Sequence, residues 1–92
     1  METIFIPRDP RSDNVKFIEK RPKILEQRIT EDFWTKIIGF LNEFIKYSYI
    51  RSLRNKKIRK YLYRLNKILL IKKIFICDPS VNNFLELKII LY

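Results

Sequence analysis

From Phe33 onward, apolar side chains fall at positions 33, 34, 37, 38, 40, 41, 44 and 45. Steps of three and four put them on one broad face of an α-helix. Thr35, Lys36, Gly39, Asn42, Glu43 and Lys46 form the remaining stripe, roughly two-fifths of the circumference. Thr30 precedes this pattern and Glu31 and Asp32 follow it, so a hydroxyl can cap free N–H groups while two acids sit at the positive helix end. The spacing predicts a helix over about 31–51, then a joint at Ser52 to Asn55. A second helix is predicted over about 56–75, with Ile58, Leu62, Leu65 and Leu69 as its apolar seam and Asp78-Pro79 beyond its end. The two seams face each other in a helical hairpin.

The ends of the chain read differently. Leu85, Leu87, Ile89 and Leu91 alternate with Glu86, Lys88, Ile90 and Tyr92, the period-two pattern of a strand. Its partner is either Thr3–Ile6 or the edge of another chain. Residues 1–29 read as an extended arm: Thr3-Ile4-Phe5-Ile6 stops at Pro7, and Pro10 and Pro22 hold the backbone away from helix. Val15, Phe17, Ile18, Ile24 and Leu25 would anchor that arm on a neighbouring subunit. The expected fold is mainly α, with arm 1–29 and a small hairpin domain with a C-terminal strand at 30–92. The first helix is apolar over more of its surface than so short a chain can cover. Phe33, Trp34, Ile37, Phe40, Phe44 and, on the second helix, Phe75 are therefore the expected protein-interface residues.

Charge sharpens this picture. Between Phe44 and Cys77 stand eleven Lys or Arg residues and no Asp or Glu, while the rest of the chain has nine basic against ten acidic residues. The formal charge of +10 thus comes from one stretch that is also rich in Ile, Leu, Phe and Tyr. Lys57, Lys60, Arg64 and Lys67 recur at steps of three and four and share one helix face. With Arg51, Arg54 and Lys56 they are the candidate polyanion contacts, and Tyr63 is the candidate for stacking on a base, with Tyr47, Tyr49 and Tyr61 as weaker ones. Composition tempers the reading. Phe, Tyr, Met, Ile, Asn and Lys supply 47 of the 92 residues, and Ala and His are absent. These abundant residues have A/T-rich codons, so some Lys reflects codon bias. Bias does not explain why acids vanish from 44–77 while 1–43 holds eight.

The same composition argues against catalysis. Without His there is no imidazole base and no His metal ligand. One Cys cannot build a thiolate zinc site, and one Gly cannot build a phosphate-cradling loop. No cofactor, metal or small-molecule substrate is expected. No signature of a base-reading nucleic-acid module is present, which leaves shape and backbone contact. The expectation is a structural subunit of a large assembly that touches RNA and neighbouring proteins, of ribosomal type and from an A+T-rich organellar genome. The alternative is a peripheral accessory subunit of a membrane bioenergetic complex, lying on anionic lipid through its basic, apolar second helix. The chain shows no secretory signal or run long enough to span a bilayer, so an organelle interior is expected, a mitochondrion before a plastid.

Overall fold

The computed structural model describes residues 1–47 and 50–92, apart from the side chain of Tyr47. Strand β1 (Glu2–Pro7) leads through an irregular segment to helix α1 (Glu31–Tyr47). Helix α2 (Arg51–Leu69), a short strand β2 (Ile74–Ile76) and strand β3 (Glu86–Leu91) follow. The helical hairpin is present, but the chain is mixed α/β rather than mainly α. A three-stranded antiparallel sheet, in the order β1-β3-β2, lines one side of the helices.

β3 lies at the centre. It pairs with β1 in a register running from Glu2↔Leu91 to Pro7↔Glu86, and with β2 from Ile74↔Leu91 to Ile76↔Ile89. Alternation turns Leu87, Ile89 and Leu91 inward at 0%, 0% and 2% exposure. They join Ile6, Ile74 and Ile76 under the seam of α2, Ile58, Leu62, Leu65 and Leu69. Of the two partners expected for the tail, the structure takes the one within the chain.

Strand β2 overturns the expected end of the second helix. α2 stops at Leu69, a 3-10 turn covers Leu70–Lys72, and Lys73 adopts the left-handed conformation (φ 58°). That reversal sends Ile74 and Ile76, both β-branched, into the core as strand residues. The expected joint is displaced as well: Ser52 to Asn55 form part of the first turns of α2, where Arg54 N–H donates to the Ile50 carbonyl at 2.9 Å. The Thr30 cap is as predicted, its hydroxyl accepting from Phe33 N–H at 3.2 Å.

Residues 1–29 are no free arm. Ile6, Phe17, Leu25 and Ile29 are buried in the same core as the helices. Arg8 and Phe17 form an antiparallel bridge, and Ile18 N–H donates to the Pro7 carbonyl at 3.1 Å. The radius of gyration is 12.6 Å, close to the roughly 12 Å of a compact chain of this length. The broad apolar face of α1 is thus covered from within the chain: Trp34, Ile37, Ile38 and Leu41 are at most 1% exposed. Tyr61 of α2 packs its ring against Phe40 and Phe44, with centroids 5.9 and 5.6 Å away.

Two asparagines tie the helices to extended backbone in the same way. Asn42 on α1 accepts from Phe17 N–H at 2.8 Å and donates to the Phe17 carbonyl at 3.0 Å. Asn66 on α2 does the same to Ile76, at 2.9 and 3.0 Å. Each amide supplies the donor and acceptor that a neighbouring strand would otherwise present. For β2 this closes the edge turned away from β3.

Asn66→Ala should cost about 2 kcal/mol in denaturant unfolding, because it strands both polar groups of Ile76. The exposed helical change Thr35→Ala should fall within about 0.5 kcal/mol of zero. Equal effects would mean that the amide pairing contributes nothing.

Burial pushes the Tyr61 phenol above its ordinary value of 10.0. The folded state therefore holds that proton more tightly than the unfolded chain does. The stability this linkage contributes is fully present below about pH 10 and is lost as pH rises through the folded value. The midpoint of urea unfolding should fall more steeply above pH 10 in the parent than in Tyr61→Phe, and identical slopes would contradict the assignment.

Candidate polyanion interface

The burial pattern of α2 sorts its cations into two groups. At about 100° per residue, Lys56, Lys60 and Lys67 fall opposite the buried seam, and Lys57 and Arg64 lie beside them within an arc of about 100°. All five are exposed. Among the described residues no carboxylate lies within salt-bridge distance of any of them. From Lys56 to Lys67 the row runs about 16 Å along the axis, the length of about five nucleotide steps in one strand of a duplex. The start of α2 reinforces the field: its first turn holds no acid and Ile50 provides no side-chain cap, so the positive helix end is left uncompensated.

The other cations turn toward the chain itself. Arg54 is half-buried, its guanidinium carbon 4.6 Å from the centre of the Phe84 ring. Arg51 is exposed and donates through Nη2 to Asn83 Oδ1 at 3.0 Å. Arg59 Nε lies 3.6 Å from Asp78 Oδ2. Arg8, from the start of the chain, donates through Nε to the Phe84 carbonyl and through Nη2 to the Asn83 carbonyl at 3.0 Å. Asn83 and Phe84 both have left-handed backbone, with φ 56° and 59°. That conformation is costly for Phe, and the arginines, together with burial of Phe84 to 5% exposure, hold it in place.

Arg51 and Arg54, both read from the sequence as polyanion contacts, thus also serve this turn, and Arg54 has little surface left to offer. Arg8 was not singled out by the sequence, since its partners lie about 75 positions away. Tyr63 is 66% exposed, and Lys67 Nζ sits 4.4 Å from its ring centre. A base stacking there would take the opposite ring face. Tyr61, by contrast, is packed between the helices. Tyr49 and the side chain of Tyr47 lie outside the described residues.

Of the residues expected to meet a protein partner, Trp34 and Ile37 are in the chain's own core, at 0% and 1% exposure. Phe33 and Phe44 are half-buried against that core. Phe40 and Phe75 keep exposed surface, at 52% and 38%. Cys77 is half-buried beside β3. Burial raises its thiol above the ordinary cysteine value, while Lys88 pulls it partly back, so it is a poor nucleophile at neutral pH. Among the described residues no group of three or more His, Cys, Asp or Glu could hold a metal ion, and no helix is long and apolar enough to cross a membrane.

Arg54→Gln should lower stability by about 0.5–1 kcal/mol through loss of the contact with Phe84. Lys60→Gln, on the outer face, should stay within about 0.5 kcal/mol of the parent. Thermal unfolding of the two variants measures the difference, and a larger loss for Lys60→Gln would reverse the sorting of the cations.

A scan against protein-family models finds no match for this chain, and a search of curated proteins finds none similar to it.

Proposed function

We propose that this protein is a non-catalytic structural subunit of a large ribonucleoprotein assembly, of ribosomal type, that lays the outer face of α2 along RNA phosphates. One observation carries the reading. Lys56, Lys57, Lys60, Arg64 and Lys67 form an exposed row with no carboxylate in salt-bridge range among the described residues. Each cation neutralises a phosphate and releases a counterion, and Tyr63 offers a ring face to an unpaired base. The row suits backbone and shape contact, because four of its five cations are lysines, compact point charges on flexible stems that follow phosphates without fixing a base register. The A/T-codon composition agrees with an organellar genome, a mitochondrion before a plastid, and neighbouring proteins complete the surroundings.

A second reading, a peripheral subunit of a membrane bioenergetic complex, is favoured by a different feature. Ile68, Leu70 and Ile71 are 55%, 64% and 87% exposed just before Lys72 and Lys73. Apolar side chains beside ammonium groups suit the boundary of an anionic bilayer.

Binding to a structured RNA across a salt series separates the two. Five phosphate contacts give a log–log slope of about −3.5 to −4.5, depending on whether the RNA is single-stranded or duplex. Changing all five residues to Gln should bring the slope near zero with helicity unchanged, whereas Arg54→Gln should shift it by less than about 0.3, well short of the roughly 0.7–0.9 that one phosphate contact is worth. A slope that survives the five changes removes α2 from the interface. Binding to phosphatidylserine vesicles that exceeds RNA binding at equal salt would promote the membrane reading.

A further inference from the structure

Between α2 and β2 lies an open groove of about 420 Å³. Its floor is apolar: Leu62, the ring of Tyr63, Leu70 and Phe75. Three of these are substantially exposed, Tyr63 at 66%, Leu70 at 64% and Phe75 at 38%. Surface of this kind, concave and contiguous, commonly marks a contact with another molecule.

The polar groups around the groove define what that molecule must bring. Asn66 has its amide oxygen and nitrogen both engaged by Ile76. Asp78 Oδ1 accepts from the Ser80 N–H and hydroxyl at 2.9 and 2.8 Å, and Oδ2 faces Arg59. The side-chain oxygens of Asn66 and Asp78 are therefore already met within the chain. What faces an incoming group is cationic donor capacity, from Lys67 and from the guanidinium of Arg59 beyond its contact with Asp78. Complementarity calls for apolar side chains flanked by carboxylates.

The occupant's backbone is constrained as well. A strand adding to β2 would find the outward N–H and C=O of Ile76 already taken by Asn66. The occupant must dock through its side chains. From Arg59 to Leu70 the groove follows α2 for about 16 Å, matching about three turns of a second helix.

We propose that this groove docks a short amphipathic helix of a partner protein, with an apolar stripe flanked by Glu or Asp. The mode is a helix laid in a groove, with anchors at i, i+3 and i+7 against Leu62, Tyr63, Leu70 and Phe75. The site shares Lys67 and Tyr63 with the proposed RNA face and is otherwise separate from it, so either reading stands without the other.

The test uses the full chain and a fluorescein-labelled helical peptide of about 14 residues, with Leu at the three anchor positions and Glu beside them. A second peptide carries Lys in place of Glu. Fluorescence anisotropy should show saturable binding of the Glu peptide, with the Lys peptide at least about tenfold weaker. Leu70→Asp should weaken the Glu peptide about tenfold or more while leaving thermal unfolding and the RNA salt slope unchanged, and Lys67→Glu should shift preference toward the Lys peptide. Equal binding of the two peptides, insensitivity to Leu70→Asp, or no saturation up to about 1 mM would overturn the proposal. So would loss of phosphatidylserine-vesicle binding in Leu70→Asp with peptide binding unchanged, which would give the groove to lipid.

Discussion

The arrangement depends on β3 lying between two strands drawn from distant parts of the chain. Among the described residues neither β1 nor the three-residue β2 has another strand to pair with, and an isolated two-stranded ribbon is marginal in water. Once β3 separates them, its inner residues Leu87, Ile89 and Leu91 give the helices an apolar floor. Ile58, Leu62, Leu65 and Leu69 of α2 and Trp34, Ile37 and Leu41 of α1 belong to the same buried core. Hydrophobic burial alone would leave each helix free to slide. Asn42 and Asn66 remove that freedom, since a two-point hydrogen bond to one backbone residue is satisfied at a single register.

The basic stretch is compatible with this core because its charges and its apolar residues occupy different sides of one helix. A formal count of cations overstates what the surface offers. Arg54 is committed to Phe84, Arg59 to Asp78, and Arg51 in part to Asn83. On α2 itself, what remains is five side chains, four of them lysines, on long flexible stems. Such a face suits irregular phosphate spacing better than it suits a rigid bidentate target. The sorting of arginine toward internal partners and lysine toward water follows the same chemistry, because the planar guanidinium can stack on Phe84 while an ammonium prefers full hydration.

Several elements were legible from residue order alone. The Thr30 cap, the seam of α2 and the alternation of β3 rest on local patterns of three or four positions, and all three stand. β2 was not legible, because Ile68 to Ile76 is a nearly continuous apolar run without Gly or Pro to mark a break. The break is made by Lys73 in a left-handed conformation that lysine does not advertise. The segment 8–29 misled for a related reason: its buried residues Phe17 and Leu25 stand in short apolar pairs among charges and prolines, so they resembled scattered anchors on an arm. The outer lysines of the candidate interface could be grouped by spacing. The internal duties of Arg51 and Arg54 could not, since Asn83 and Phe84 lie about 30 residues away in sequence.

The strand order also sets a timetable for synthesis. The helical hairpin needs only local contacts and can collapse early, but β3 is translated after both of its partners. Until residue 91 leaves the ribosome, β1 and the inner faces of both helices lack their floor, and unpaired backbone is open to other nascent chains. During that interval the stretch from Phe44 to Cys77 is already present with its eleven cations and no acid. Mutual repulsion between such chains slows their association. The basic face can thus act before the protein has a fold, as an electrostatic guard on an unfinished sheet.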